Sequence, residues 1–386
     1  MAADRFMTYL RHRLHAAPEP SGREAGTAAI MREVLAGCGA TGLVDRLGGH
    51  GLAAVFDSPR PDAGPVVALR AELDALPLAD LGRHDHVSTH PGCSHACGHD
   101  GHLAMLAGVA GGLARRPLAR GRLILLAQPA EETGEGARAV AADPRWQALD
   151  PDYVFAVHNL PGYPLGSVLL RAGPFCAGSV GLAVTLTGRS SHAAYPEQGL
   201  SPARALERLL PELTALPVPL EQQGALAMVT VVHVRLGGAT FGTAPGDAAI
   251  MVTLRADEDE VLARLRAAAA DLVSRVADAE GLTAAMAWQD EFPVTVNNDL
   301  AVAAAQAAAA AAGLDVAAPD ESPFRWSEDF GWLTAPWCGA MIGLGAGTSQ
   351  AGLHAGGYDF PDALLPVGVR FWDALIDGLG LRDAAP

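Results

Sequence analysis

Short β-branched or aliphatic runs alternate with longer helical patterns along the first half of the chain. Four such runs predict β-strands, at residues 66–69, 123–127, 153–157 and, late in the chain, 340–344. Residues 102–115 predict a helix with Asp100 near its start and Arg115 near its end, charges that suit the helix dipole. Strands that alternate with helices are typical of a mostly parallel sheet covered by helices. The pattern therefore predicts an α/β domain.

The order of predicted elements changes between residues 179 and 290. Strand, helix, two strands, helix and strand follow one another, at residues 180–187, 202–216, 227–236, 248–255, 259–279 and 283–289. This order is typical of a two-layer split βαββαβ domain. An Ala-rich helix is then expected at residues 301–312, with Asp299 as its N-cap. We therefore expect one domain formed by residues 1–178 and 291–386, with residues 179–290 inserted as a second.

Composition excludes several classes of function. Half of the 386 residues are hydrophobic and 18% are charged, which is typical of a globular chain. The net charge of −16 repels phosphate backbones and anionic lipids, so we expect neither nucleic acid nor a membrane as partner. All 27 basic residues are arginines, and the absence of lysine excludes Schiff-base chemistry and a Walker-type phosphate site.

Cysteine usage and hydropathy point to a compartment. The five cysteines are few, scattered and odd in number, which favours a reduced, cytoplasmic chain over a disulfide framework. The N-terminal residues contain no apolar segment typical of a signal peptide. The most apolar stretches, 103–113 and 301–314, fall short of the roughly 20 residues that span a bilayer. We expect a cytoplasmic protein.

Histidines concentrate in one window of the sequence. Six of the 13 histidines lie between residues 84 and 102, and the run His95-Ala-Cys-Gly-His-Asp-Gly-His102 adds Cys97 to them. Imidazole and thiolate are ligands of Zn²⁺ and related metals. A loop with exposed histidines would explain the cluster as well, and for His84, His86 and His90 we expect that simpler explanation, with the side chains in solvent.

Other polar groups follow the predicted strands. Asp74 follows the first strand, the adjacent Glu131 and Glu132 follow the second, and His158 follows the third. His354 lies in a turn-rich stretch after the late strand. Because open α/β sheets place their sites beyond the carboxyl ends of strands, we expect these groups to converge.

This set of groups suits two divalent ions roughly 3.5–4 Å apart that hold a water between them. Adjacent glutamates are informative in such a site, since one carboxylate binds metal while its neighbour accepts a proton from the water. A solvated turn would explain an isolated Glu-Glu pair equally well.

The chain resembles the metallopeptidases of family twenty, in the subgroup that contains hippurate hydrolase, bacterial N-acyl-amino-acid amidohydrolases and plant auxin-conjugate hydrolases. Seven ordered motifs carry this resemblance, at residues 70–77, 95–102, 128–132, 157–161, 188–196, 327–330 and 353–360. The resemblance implies that the inserted domain is a lid or dimerisation domain and that the protein is a homodimer or a higher homo-oligomer.

The resemblance also implies roles for individual residues. It makes Glu131 the general base, with Asp74 holding the ligands from behind and His192 reaching the substrate oxyanion from the lid. Arg255 is a weaker candidate for pairing with the substrate carboxylate. The implied metal ligands are Cys97, His99, Glu132, His158 and His354, with Cys97 bridging both ions.

Four positions depart from the usual motifs of the family. Glu72 stands where Asp is usual, and Gly242 where relatives commonly carry an Asn that helps to hold the substrate. Near His354, Gly356 replaces a Pro and Pro361 an Asn, and we expect these changes to reshape the loop behind that histidine. None of the departures removes an implied ligand or the base.

The sequence thus predicts a metal-dependent amidohydrolase. It would cleave the amide bond of an N-acyl amino acid, such as a hippurate-like conjugate, to a carboxylic acid and an amino acid, with two divalent ions, Zn²⁺ or Mn²⁺, as cofactors. A dipeptidase or an N-carbamoyl amino acid amidohydrolase would share the metal chemistry and differ in the acyl pocket. A non-catalytic binding relative is a third alternative, which the presence of Glu131 disfavours.

Overall fold

The computed structural model describes residues 2–317, 319 and 323–383. The chain divides into two compact units. The first unit comprises Met1–Phe175, Thr295–Ser322 and Asp329–Pro386, and the second comprises Cys176–Val294 and Pro323–Glu328. The role of the second unit as a lid or dimerisation domain stays a prediction.

The strands are numbered β1 to β16 in chain order. They are Gly42–Leu47, Gly51–Asp57, Val66–Glu72, Arg122–Gln128, Tyr153–Pro161, Val168–Leu169, Gly173–Cys176, Gly178–Thr187, Ser191–His192, Ala227–Leu236, Thr243–Ala244, Asp247–Ala256, Thr283–Phe292, Thr295–Asn297, Val316–Ala317 and Cys338–Gly347.

The helices are numbered α1 to α11 in the same way. They are Ala2–Ala16, Ala25–Gly37, His99–Leu113, Gly136–Ala142, Pro144–Gln147, Ala203–Ala215, Val218–Glu221, Asp259–Ala279, Asp299–Ala311, Gly331–Thr334 and Leu365–Gly378.

The first unit is built on an eight-stranded sheet with the order β1-β2-β4-β3-β5-β16-β6-β15. The four central strands β4, β3, β5 and β16 run parallel, whereas β1 and β2 pair antiparallel at one edge. Strand β4 reads RLILLAQ, and after its first residue every position is buried. Such continuous apolar runs form strands that are covered on both faces. The predicted α/β fold with a mostly parallel sheet is confirmed.

Helices cover this sheet and complete its core. Leu106 of α3 and Phe371 of α11 belong to the same buried cluster as Leu125 of β4 and Phe155 of β5. Helix α9 was predicted with Asp299 as its N-cap, and that detail is wrong. The cap is Asn298, whose side chain accepts a hydrogen bond from the Leu300 amide at 2.9 Å. Asn298 has the extended backbone that a cap requires, whereas Asp299 is already helical.

The second unit has its own sheet and its own core. Strands β8, β10, β12 and β13 form a four-stranded antiparallel sheet in the order β10-β12-β8-β13. Helices α6 and α8 contribute buried leucines, including Leu209 and Leu265, to the cluster that these strands line. The chain order of these elements is the βαββαβ order expected from the sequence. In the described part of the chain, no helix is both long and apolar enough to cross a membrane.

Candidate active site

The candidate residues of the first unit meet at the carboxyl ends of its parallel strands. Asp74 lies two residues beyond β3, the Glu131–Glu132 pair follows β4, and His158 lies in the second half of β5. His99 is the first residue of α3, directly after Gly98, whose φ of +91° is left-handed. A Cβ at Gly98 would lie 2.4 Å from Asn159 Oδ1, so the entry to α3 requires glycine.

Two groups of potential metal ligands share Cys97. In the first group, the ligand atoms of Cys97, His99 and His158 lie within 4.8 Å of one another, and all three residues are buried. In the second group, Cys97 meets Glu132 and His354 within the same distance. His158 Nε2 lies 3.4 Å from the Cys97 sulfur, and His354 Nε2 lies 3.6 Å from Glu132 Oε2. The arrangement offers two adjacent ion positions around one thiolate.

Hydrogen bonds orient the two buried imidazoles toward this centre. Nδ1 of His99 donates to the Asp74 carbonyl at 2.8 Å, and Nδ1 of His158 donates to the Asn159 carbonyl at 2.9 Å. Because a carbonyl only accepts, the proton of each ring is on Nδ1, and the Nε2 lone pair faces the centre. Metal-binding histidines are commonly held through the other ring nitrogen in this way.

Asp74 connects the candidate ligands without belonging to either donor group. Its carbonyl oxygen holds His99, while its carboxylate accepts from the Glu132 amide at 2.9 Å and from Ser21 Oγ at 2.7 Å. The side chain is fully buried. The supporting role that the family resemblance implies for Asp74 stays a prediction.

The turn that presents Glu131 and Glu132 is strained and buttressed. Ala130 has a φ of +49°, an unusual value for a residue with a Cβ. Its amide donates to Glu24 Oε1 at 2.9 Å, and Glu24 is completely buried. Glu131 then lies with Oε2 3.7 Å from His99 Nε2. The strain is maintained by a carboxylate that lies more than a hundred residues earlier in the sequence.

His354 approaches the centre from a loop after β16. It also has a positive φ, +60°, and its amide donates to the Ala96 carbonyl at 2.9 Å. Its side chain is 55% exposed, unlike the buried His99 and His158. His354 is therefore the solvent-facing member of the group.

The electrostatics of these residues fit bound dications. Burial lowers the pKa of His158 to about 3 and also lowers the pKa of His354, so both rings are neutral at pH 7 and able to bind metal. Burial raises the pKa of the Cys97 thiol well above its usual value, and the carboxylates of Glu132 and Glu131 raise it further. A thiolate at this position requires neighbouring positive charge. The donor set of thiolate, imidazole and carboxylate suits borderline metals such as Zn²⁺.

A buried ionic network lies next to the site. The guanidinium of Arg70 donates to Gln128 Oε1 at 2.8 Å, to Asp329 Oδ1 at 2.8 Å and to the carboxylate of Glu72. Asp329 also accepts from the Ala137 amide, at the first turn of α4. Burial opposes ionisation of Glu72, yet Arg70 and then His102 hold the pKa of its carboxyl well below the usual range. The network joins β3 to β4 and α4.

A specific hydrogen-bond partner accounts for the longer side chain of Glu at position 72, where Asp is usual. Its Oε2 accepts from His102 Nδ1 at 2.7 Å, and His102 Nε2 in turn accepts from the Asn159 amide at 3.2 Å. Asn159 is the residue next to His158. Glu72 is therefore connected through His102 to the backbone of Asn159, the residue beside the candidate ligand His158.

Gly356, a further departure, permits close packing behind His354. Its carbonyl accepts from the Leu81 amide at 2.6 Å, and a Cβ at this position would lie 2.8 Å from the Ala79 carbonyl oxygen. Proline would clash with the 79–81 segment. The expectation that this loop is reshaped stays a prediction.

His192 and Arg255 belong to the second unit. His192 is exposed, pairs with Thr243 across a two-stranded ribbon, and accepts from the Ala194 amide at Nδ1. Arg255 donates to Ser327 Oγ at 2.7 Å and to the Arg325 carbonyl at 3.1 Å, and burial lowers its pKa. Gly242 adjoins His192 through the bond from the Ala193 amide to its carbonyl. The substrate roles of His192 and Arg255 stay predictions.

Sequence reasoning missed some residues and misjudged others. Ser21 and Glu24 support the site from the segment between α1 and α2, and neither lies in a recognisable motif. The expectation that His84 and His86 are solvated is wrong, because their side chains are only 15% and 12% exposed. They pack against histidines of α1, a contact that local sequence does not reveal. His90 is exposed, as expected.

Comparisons with known proteins agree with this geometry. The profile of peptidase family M20/M25/M40 matches residues 68–378. N-acetyl-L-cysteine deacetylase of Bacillus subtilis is 31% identical over 324 residues, which cover 84% of this chain and 76% of that protein. Hippurate hydrolase of Campylobacter jejuni is 29% identical over 367 residues, which cover 95% of this chain and 94% of that protein.

A solved structure extends the comparison to the fold. A Bacillus subtilis protein described as a dinuclear metal binding peptidase from the M20 family superposes with a TM-score of 0.79 at 25% identity, and the match covers 97% of each chain. The resemblance found in the motifs is confirmed, as is the prediction of a hydrolase that acts on amide or peptide bonds. The chain belongs to peptidase family M20/M25/M40.

Proposed function

We propose that this protein hydrolyses the amide bond of N-acyl amino acids, releasing a carboxylic acid and an amino acid. The observation that carries this proposal is the pair of donor groups sharing Cys97, with the Glu131 carboxylate 3.7 Å from His99 Nε2. The similar proteins named above include a deacetylase of N-acetyl-cysteine and a hydrolase of hippurate, both N-acyl amino acids. We also infer a cytoplasmic location from the five free cysteines.

We assign Cys97, His99, Glu132, His158 and His354 as the residues that hold two divalent ions, Zn²⁺ or Mn²⁺. When bound, such ions acidify a water molecule and polarise the substrate carbonyl. Cys97 would serve both ion positions, since it belongs to both donor groups. Asp74 holds His99 and the Glu132 backbone in place.

Glu131 is assigned as the general base. Its carboxylate accepts the proton of the attacking water and then delivers it to the leaving nitrogen, so the amino acid departs as a neutral amine. We assign His192 to the developing oxyanion and Arg255 to the carboxylate of the substrate. Burial lowers the pKa of Arg255, which is consistent with a guanidinium partly withdrawn from water.

A substrate panel tests the proposed reaction. Chelated protein should release no amine from benzoyl, acetyl, long-chain acyl or indoleacetyl amino acids, and adding Mn²⁺ or Zn²⁺ should restore release from at least one of them. Amine release is measured with a colorimetric assay, and the panel also includes free dipeptides and N-carbamoyl amino acids. Turnover of dipeptides or carbamoyl compounds alone would replace the proposal with one of those activities. Binding without any turnover would indicate a non-catalytic relative.

We further propose that the protein is a homodimer assembled through the second unit. Among the described strands, β10 pairs only with β12, so its other edge is open. Val232, Val234 and Leu236 of β10 are 57%, 41% and 39% exposed. An open edge strand with exposed aliphatic side chains favours pairing with a second copy.

Light scattering after size-exclusion chromatography tests this interface. Val232→Lys should convert a dimer of the wild type into a monomer, because a charge on the edge strand opposes strand pairing. Val316→Lys is the matched control, since Val316 is 45% exposed in the first unit. A wild type that is monomeric at all concentrations would refute the interface.

A further inference from the structure

A second cluster of metal-binding side chains lies outside the candidate active site. His15, on the last turn of α1, faces Asp80 and His84 of the loop that precedes Cys97. The His15 and His84 rings meet edge to face at 5.0 Å, and His86 stacks on His84 at 4.0 Å. None of these residues has a role in the proposed reaction.

The ligand atoms of this cluster converge. His15 Nε2 lies 3.3 Å from Asp80 Oδ2, His84 Nε2 lies 4.0 Å from Asp80 Oδ1, and the group fits within 4.8 Å. Ligand atoms of a tetrahedral Zn²⁺ site are about 3.3 Å apart when the bonds to the metal are about 2.0–2.1 Å. The three side chains are therefore close to the spacing of a shared ion and need only small rotations to reach it.

His15 is held as metal-binding histidines usually are. Its Nδ1 is 2.8 Å from Oδ2 of Asp100, a carboxylate that is completely buried. This bond leaves Nε2 to face Asp80, where it is buried and has no hydrogen-bond partner among the described residues. A carboxylate behind the imidazole fixes the ring and strengthens it as a ligand. Both ring nitrogens of His84 likewise lack hydrogen-bond partners in the described part of the chain.

The charge of the surroundings favours a cation. Arg11 contacts three carboxylates, at 2.5 Å for Asp359, 2.9 Å for Asp362 and 3.5 Å for Asp100. Asp80 adds a fourth carboxylate, whose side chain is only 3% exposed. Asp359 and Asp362 are partly exposed, but one arginine does not balance the two buried carboxylates of Asp80 and Asp100, and a divalent ion would reduce the excess negative charge.

We propose that His15, Asp80 and His84 bind a third divalent ion of the class that accepts imidazole and carboxylate ligands, such as Zn²⁺, with water completing the coordination. The ion would tie the end of α1 to the loop at residues 80–86. Through His15 and Asp100 it would also stabilise the start of α3, where His99 lies. Its role would be structural, and the proposal does not depend on the identity of the substrate.

Metal counting by inductively coupled plasma mass spectrometry tests this site. Wild-type protein equilibrated with excess Zn²⁺ and then passed over a desalting column should hold one equivalent more than His84→Gln. His84 is partly exposed and has no hydrogen bond to lose, so this variant should fold. His90→Gln, in the same loop with an exposed side chain, is the control and should retain the wild-type count.

A second variant and a second readout keep the test independent of the active site. Asp80→Asn should lose the same single equivalent as His84→Gln. With Co²⁺ as the probe, both variants should lose the part of the visible d–d absorption that comes from the third site, while the thiolate-to-cobalt band of Cys97 stays unchanged, because the third site contains no sulfur. The expected difference of one metal equivalent between wild type and variants can be measured whatever the occupancy of the site around Cys97.

Equal metal content in wild type, His84→Gln and Asp80→Asn would overturn the proposal. His15 would then be an imidazolium paired with Asp100 and Asp80. The pKa of His15 is raised despite burial, with Asp100 as the main favourable partner, which is the direction that this alternative requires.

Discussion

Glu131→Gln should lower kcat for N-acyl amino acid hydrolysis by a factor on the order of 10² to 10⁴, the usual contribution of a general base. Glutamine keeps the shape of the side chain but cannot accept the proton of the attacking water. Metal content should be unchanged, because we assign metal binding to the neighbouring Glu132. Steady-state kinetics together with metal analysis of the same preparation measures both effects.

The control for this variant is Glu135→Gln, four residues later on an exposed position before α4. It removes the same charge from the same loop and should leave kcat unchanged. If Glu131→Gln retained the wild-type kcat, Glu131 would not be the base. If it instead lost an equivalent of metal, Glu131 would be a ligand and the assignment of the two glutamates would have to be exchanged.

Arg70→Met should destabilise the protein by about 3–5 kcal/mol, the usual loss when one partner of a buried ion pair is removed. Arg70 is 1% exposed, and its replacement leaves Glu72 and Asp329 buried without their guanidinium. The free energy of unfolding is measured by urea denaturation monitored by circular dichroism.

Arg116→Met provides the matched comparison for this variant. Arg116 pairs with Asp377 at 2.6 Å, but the two side chains are 45% and 37% exposed. Exposed pairs contribute at most about 1 kcal/mol, so this variant should stay close to the wild type. If the two arginine variants lost the same stability, the buried network would contribute no more than a surface pair.

The elements of both units could be predicted from the sequence because their signals are local. Strand β10, at Ala227–Leu236, and helix α8, at Asp259–Ala279, begin and end where the hydrophobic pattern places them. The convergence of Asp74, Glu132 and His158 follows from the parallel strands that precede them, since such strands end at one edge of the sheet. The local hydrophobic pattern and the sheet topology were therefore sufficient to predict that these groups lie close together.

Other features depend on contacts between distant parts of the chain. Glu24 supports Ala130 across more than a hundred residues, and nothing near Glu24 in sequence indicates this. His84 and His86 are polar loop residues, for which exposure is the reasonable expectation, and only their packing against α1 encloses them. The Asn298 cap was missed because Asn and Asp are both good caps and neighbouring positions are hard to separate from sequence.

Ser21 and Glu24 support the site from the N-terminal part of the chain. They therefore matter when the protein is shortened to a fragment. The match to the family profile begins at residue 68, after both of these residues. A fragment trimmed to the matched segment would keep every proposed ligand of the site around Cys97 and the proposed base. It would lose the hydroxyl that binds the Asp74 carboxylate and the carboxylate that holds the strained turn before Glu131. The limits of the family profile are therefore narrower than the limits of the folding and catalytic unit.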